Sequence, residues 1–129
     1  NAILSRDYGS GVVPYILEIS YGFPRLRYYS SSFVDRSDDE QVNTETWNHL
    51  VLTVSDAETK IYLNGSLVMT TDGISSLPSN STNLYFGNYP YGSYYFHGIL
   101  DEIGIWNRVL SQADVTRLYN NGDGLAYPF

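Results

Sequence analysis

The sequence predicts an all-β chain, almost wholly antiparallel, with a single short helix near residues 112–120. Three observations carry that prediction. Apolar residues recur at every second position in several short runs, Asn64-Gly65 sits between two such runs, and an apolar spacing of three and four follows Ser111. Composition agrees: aromatics are 16% of 129 residues, 13 of them Tyr, a residue whose apolar ring and wet hydroxyl suit half-buried strands and binding surfaces. No internal repeat and no linker divides the chain, so residues 1–129 read as a single domain, long enough to hold a core.

Tyr15, Leu17, Ile19 and Tyr21 alternate with Ile16, Glu18 and Ser20, and Gly22-Phe23-Pro24 turns the chain into Arg25-Leu26-Arg27-Tyr28-Tyr29. A polar stretch over 30–45 contains the densest acidic run, Asp35-Arg36-Ser37-Asp38-Asp39-Glu40. It lacks the D-x-D-x-D-G spacing of a calcium loop and reads as a solvated loop. Trp47 to Val54 is the next strand, followed by an acidic turn over 55–59 and the strand Lys60-Ile61-Tyr62-Leu63. Asn64-Gly65 then supplies the two positive-φ positions of a type I′ hairpin turn, and Ser66 to Thr70 returns. Leu84-Tyr85-Phe86-Gly87-Asn88 adds a strand before the loop Tyr89 to Tyr95.

The C-terminal third reads as a strand feeding a capped helix. From Ile99 to Trp106 the side chains alternate, placing Ile99, Asp101, Ile103 and Ile105 on one face and Leu100, Glu102 and Trp106 on the other. Trp47 and Trp106, each at the end of an apolar strand, are expected in the core. Ser111 with Asp114 three residues on matches a capping-box-like helix start, Val115, Leu118 and Tyr119 form the buried stripe, and Gly122 is the expected left-handed stop.

The order Phe96-His97-Gly98-Ile99-Leu100-Asp101-Glu102-Ile103-Gly104-Ile105-Trp106-Asn107-Arg108-Val109-Leu110-Ser111 resembles the closing segment of the laminin-G-like and pentraxin-like group within the concanavalin A-like jelly rolls. Trp47 to Val54 followed by Lys60 to Gly65 is similar to that group's central hairpin, so the resemblance covers about the last two-thirds of the chain. It implies an antiparallel jelly-roll β-sandwich, outside the cell or on its surface, that binds sugars or proteins. The resemblance also implies one or more strands ahead of Ile3, which often help form a calcium site. Here they are missing. Either the sandwich is reduced, or those strands lie in sequence outside this chain, or a neighbouring chain supplies them. The start at Asn1, without Met or a leader, likewise reads as a piece of a larger parent chain with other domains.

Two places could carry chemistry. In the loop Tyr89-Pro90-Tyr91-Gly92-Ser93-Tyr94-Tyr95, exposed rings can stack on the apolar faces of pyranose sugars while Gly and Ser allow bending. The ligand-binding candidates are therefore Tyr89, Tyr91, Tyr94 and Tyr95, with Asn88 as an amide donor and Tyr28 as an outlying platform. The competing reading is that these rings cover a sheet edge. Asp101 is the metal candidate. On a core face its carboxylate needs backbone N–H groups, a cation or Arg108, and calcium is the cation its hard oxygens suit. The resemblance to pentraxins implies further acids in the loop before the last strand, and that loop has none.

Charge and composition remove other classes. A formal net charge of −7 repels phosphate backbones and anionic membranes, so neither nucleic acid nor membrane is an expected partner, and no run approaches the roughly 18 apolar residues of a spanning helix. With no Cys there is neither a disulfide nor a thiol nucleophile. Glucanases on this kind of fold need alternate-position carboxylates about 5 Å apart, whereas Asp101 and Glu102 are adjacent and diverge. The two His, His49 and His97, sit in no metal-spaced pair. The expected function is a noncatalytic carbohydrate-binding module that takes a polysaccharide or glycan. The alternative is a structural or protein-binding module of a cell-surface or viral appendage protein.

Overall fold

The structure, a computed structural model, describes residues 1–6, 15–29, 33–37, 40–75, 81–90 and 94–125. Among the described residues eight strands and one α-helix are formed: β1 (Ala2–Arg6), β2 (Tyr15–Ser20), β3 (Phe23–Tyr29), β4 (Phe33–Ser37), β5 (Leu50–Val54), β6 (Glu58–Leu63), β7 (Ser66–Asp72), β8 (Leu84–Phe86) and α1 (Gln112–Tyr119). All pairings are antiparallel, in a five-stranded sheet ordered β4-β3-β2-β1-β8 and a three-stranded sheet ordered β5-β6-β7. This is the predicted fold class: two antiparallel sheets and one short helix near the C-terminus. The chain divides into two compact units, Asn1–Ser37 with Ser76–Leu100, and Asp38–Ser75 with Asp101–Phe129.

In the first unit, local chemistry sets the central hairpin. Tyr21 (φ 53°) and Gly22 (φ 91°) form a two-residue turn, and Ser20 pairs with Phe23. A primed turn of this kind matches the right-handed twist of the strands it joins. The predicted turn at Gly22-Phe23-Pro24 is thus shifted: Tyr21 leaves β2, and Phe23 and Pro24 belong to β3. Register then sorts the faces, because directly opposed residues point the same way. Leu17 and Leu26 pair on one face, with Tyr15 and Tyr28 beside them. Ile16 and Arg27, then Glu18 and Arg25, pair on the other.

The second unit is built on the Asn64-Gly65 turn, with φ of 50° and 81° and Leu63 opposite Ser66, as the sequence predicts. The helix packs on this sheet through a cluster of Val51, Tyr62, Leu110 and Val115, with Leu118 at its side. Val115 is fully buried, and burial of a Val or Leu side chain contributes about 1.5–3 kcal/mol. The predicted cap is present: Ser111 Oγ accepts from Asp114 N–H at 3.2 Å, and Asp114 Oδ2 accepts from Ser111 N–H at 2.8 Å. Helix geometry ends earlier than expected, at Asn120 (φ 49°), whose N–H donates to the Thr116 carbonyl.

One expected strand does not form. The segment from Phe96 to Leu110 has no ladder pairing, and Ile99, Ile103 and Ile105 are 76%, 51% and 68% exposed. Alternating β-branched residues favour a strand only where a neighbouring strand completes the ladder. Here a local bond competes: Asp101 Oδ1 accepts from Glu102 N–H at 2.9 Å, and Glu102 takes φ 49°, which breaks the two-residue period. The expected core tryptophans also lie at the surface, Trp47 at 64% and Trp106 at 36% exposure. Trp106 lays its ring over Gly104, where a Cβ would come within 2.3 Å of the indole. An indole is too large to be fully buried without a large surrounding core, and Gly104 offers it a flat local floor instead.

Candidate functional site

The loop after β8 is fixed to β1 from both sides. Gly87 N–H donates to the Ile3 carbonyl at 2.8 Å, and Ser5 Oγ donates to the Asn88 carbonyl at 2.7 Å. Beyond the loop, Phe96 N–H donates to the Gly87 carbonyl at 2.9 Å and Ala2 N–H to the Tyr94 carbonyl at 3.4 Å. Ser5 is wholly buried, so its hydroxyl needs a partner, and the Asn88 carbonyl supplies it.

Tyr89 anchors this arrangement. It is buried against Ala2 and Ile16 on the Glu18–Arg25 face of the five-stranded sheet. Its ring centroid lies 5.9 Å from that of Tyr94, with planes tilted by 35°, within the range of favourable aromatic pairs. Tyr94 and Tyr95 are 51% and 54% exposed. Asn88 is half-buried, and its Oδ1 is buried with no hydrogen-bond partner among the described residues.

The structure therefore brings Asn88, Tyr89 and Tyr94 together, with Tyr95 next in the chain. Tyr91 lies outside the described residues. Tyr28 is not part of the group: its register partner is Tyr15, on the face of β3 opposite to Arg25 and Arg27.

Sequence reasoning missed a charge cluster on the sheet face that carries Ile16. Glu18 is 4% exposed, and its Oε1 accepts from Arg25 Nε at 2.8 Å and Nη2 at 2.5 Å, with Arg27 Nη2 at 3.9 Å. A buried carboxylate requires such compensation. The signal was present: an acid interrupts the apolar run Ile16-Leu17-Glu18-Ile19, and the tight turn places Arg25 directly opposite it.

Asp101 is exposed, and one of its oxygens is engaged with Glu102 N–H. Calcium takes six to eight oxygen ligands. Among the described residues no group of three His, Asp or Glu side chains is placed to hold a metal ion, so the surroundings of Asp101 as described do not fit a calcium site. The acid that is strongly perturbed is Asp114. Bidentate bonds from Arg108, at 2.8 and 3.1 Å, and bonds from the Ser111 backbone and hydroxyl hold its carboxyl well below the usual range. That carboxylate caps a helix, so its perturbation is structural.

Against known proteins, residues 5–116 match the laminin-G-type family model described as the concanavalin A-like lectin/glucanases superfamily. The chain belongs to that superfamily. A curated relative, adhesion G-protein coupled receptor V1 of Danio rerio, is 25% identical over 131 residues, covering 92% of this chain and 2% of the receptor. Among solved structures, an S-layer domain-containing protein from Clostridium thermocellum aligns with a TM-score of 0.55 and 21% identity, over 92% of this chain and 64% of that one. At that identity the likeness speaks for the fold. This superfamily member has no helix long and apolar enough to cross a membrane among its described residues.

Proposed function

We propose that this domain is a noncatalytic carbohydrate-binding module of a secreted or surface protein, and that it holds a glycan on the rings of Tyr94 and Tyr95. The observation that carries the reading is the contrast within one loop: Tyr89 is buried as an anchor while Tyr94 and Tyr95 stand about half exposed on a backbone tied to β1. Exposed tyrosines on a held backbone bury sugar faces at low side-chain entropy. The half-buried Asn88 offers its side-chain amide nitrogen as a donor to sugar hydroxyls. The family, the adhesion receptor and the S-layer protein support a surface or extracellular binding role. A glycan array followed by titration calorimetry tests it. Binding that disappears in Tyr94→Ala and Tyr95→Ala, with melting nearly unchanged, is the expected result. Binding that survives both substitutions overturns it.

A second reading, a structural or protein-binding module of a surface or viral appendage protein, is favoured by one observation. Ile103, Ile105 and Val109 place three exposed aliphatic side chains within seven residues of chain. Clustered apolar exposure marks protein contacts more often than sugar contacts. Charged substitutions at Ile103 and Ile105 that abolish binding to a partner chain, with glycan binding absent throughout, decide for this reading.

A further inference from the structure

The dipeptide Asn-Gly occurs twice, at 64–65 and 121–122, and the fold treats the two differently. Glycine after asparagine leaves the following backbone nitrogen unhindered, because there is no Cβ to block its approach. That nitrogen can then attack the asparagine side chain. From the two environments we infer that Asn121 is a site of spontaneous covalent modification, deamidation through a cyclic imide, which the folded chain leaves open while holding Asn64 closed.

The step balances without any added oxidant or reductant. The Gly122 amide nitrogen loses its proton to solvent and bonds to Asn121 Cγ. The Cγ–Nδ2 bond breaks, and ammonia leaves with a proton from water. Water then opens the five-membered imide at either carbonyl, giving aspartate or its isomer with the backbone routed through the side chain.

At Asn64 the side chain that must be attacked is held at both of its polar atoms. Oδ1 accepts from His49 N–H at 2.9 Å, Nδ2 donates to Asn48 Oδ1 at 3.3 Å, and the Asn64 N–H donates to the His49 carbonyl at 2.8 Å. Gly65 lies directly under the Tyr119 ring, where even a Cβ would meet Tyr119 Cδ1 at 2.7 Å. Its carbonyl accepts from Gln112 Nε2 at 2.7 Å. Closing the ring there requires breaking the turn and lifting α1 from it.

At Asn121 no side-chain bond is in place among the described residues, and the turn is closed by backbone bonds from Asp123 N–H to the Asn120 carbonyl at 3.2 Å and from Gly124 N–H to the Tyr119 carbonyl at 3.1 Å. The residue is exposed, at φ 57° and ψ 23°, between Asn120 at φ 49° and Gly122 at φ 103°. Within this turn, among the described residues, the amide that is held is that of Asn120, which donates to the Gly124 carbonyl at 2.9 Å. Rotation of the Asn121 side chain toward the imide breaks no side-chain bond among the described residues. The product sets a new carboxylate just beyond the C-terminus of α1, where the helix carbonyls already carry partial negative charge.

The test is incubation of the folded protein in mildly alkaline buffer, with timed peptide mapping by mass spectrometry and a parallel incubation in urea. In the folded protein, conversion of Asn121 to acid several-fold faster than Asn64 is expected, and the two rates should converge in urea. Asn121→Gln should melt as the parent does and remove the early product. Equal folded rates, or a faster Asn64, overturn the inference. So does a difference that persists undiminished in urea, because sequence context rather than the fold then selects the site.

Discussion

Each unit uses one tyrosine to hold an irregular or helical segment on a sheet, and the two tyrosines leave different surfaces behind. Tyr89 is buried over Ala2 and Ile16, and the chain after it presents Tyr94 and Tyr95 to solvent. Tyr119 is half-buried over Gly65, 5.9 Å from the His49 ring, and its helix presents charged and polar side chains. The same residue type therefore serves packing in both places and presentation in only one. Burial of the anchoring ring, rather than abundance of tyrosine, separates a platform from a plug.

Substitutions can break that comparison at several points. The largest effect is expected for Tyr89→Ala, which removes a buried ring and should destabilise the protein by about 3–5 kcal/mol in a denaturant titration. Loss near zero would mean Tyr89 is part of the exposed platform instead. Gly65→Ala should follow, at about 1–3 kcal/mol, because the new Cβ meets the Tyr119 ring and φ is 81°. An unchanged midpoint would show that α1 does not depend on that contact.

Acid should act on the second unit through His49. Burial lowers its pKa from 6.5, and its Nδ1 is buried with no hydrogen-bond partner among the described residues. The unfolded chain then binds a proton more readily than the folded one, so stability is full above 6.5 and falls as pH drops through the lowered value. Asp114 stays charged across that window because its carboxyl is held far below the usual range. Denaturation midpoints between neutral and mildly acidic pH should decline, and His49→Gln should flatten the decline. A decline that persists unaltered in the variant assigns it to other groups.

The smallest effects on stability belong to the exposed side chains. Tyr94→Ala should shift stability by no more than about 0.5 kcal/mol while removing glycan binding. Melting in calcium and in chelator should coincide, and Asp101→Ala should melt like the parent. A calcium-dependent rise that Asp101→Ala abolishes would make Asp101 a ligand.

What could be read from sequence follows how local each determinant is. The Asn64-Gly65 turn and the Ser111–Asp114 cap are decided within four residues, and both stand where the sequence puts them. The alternation from Ile99 to Trp106 needed a distant ladder partner, and in its absence among the described residues Glu102 takes φ 49° with its N–H on Asp101. At the site, Tyr89 and Tyr94 were legible as a loop rich in rings. The burial of one and the exposure of the other depend on β1, more than eighty residues earlier, whose Ser5 holds the Asn88 carbonyl. The face on which Tyr28 lies is fixed by register with Tyr15, which periodicity within one strand leaves undetermined.

The bonds from β1 to Gly87, Asn88 and Tyr94 also bear on how tightly a partner could be held. Ordering a loose loop on contact costs about 0.5–1.5 kcal/mol for each mobile side chain immobilised, before any backbone contribution. Here the backbone beneath Tyr94 is already immobilised by the Ala2, Ile3 and Ser5 contacts made during folding. A ligand would meet a surface set in advance. Its affinity should then vary mainly through how long it stays, and cutting the Ser5 tether with Ser5→Ala should slow capture while leaving the rings themselves intact.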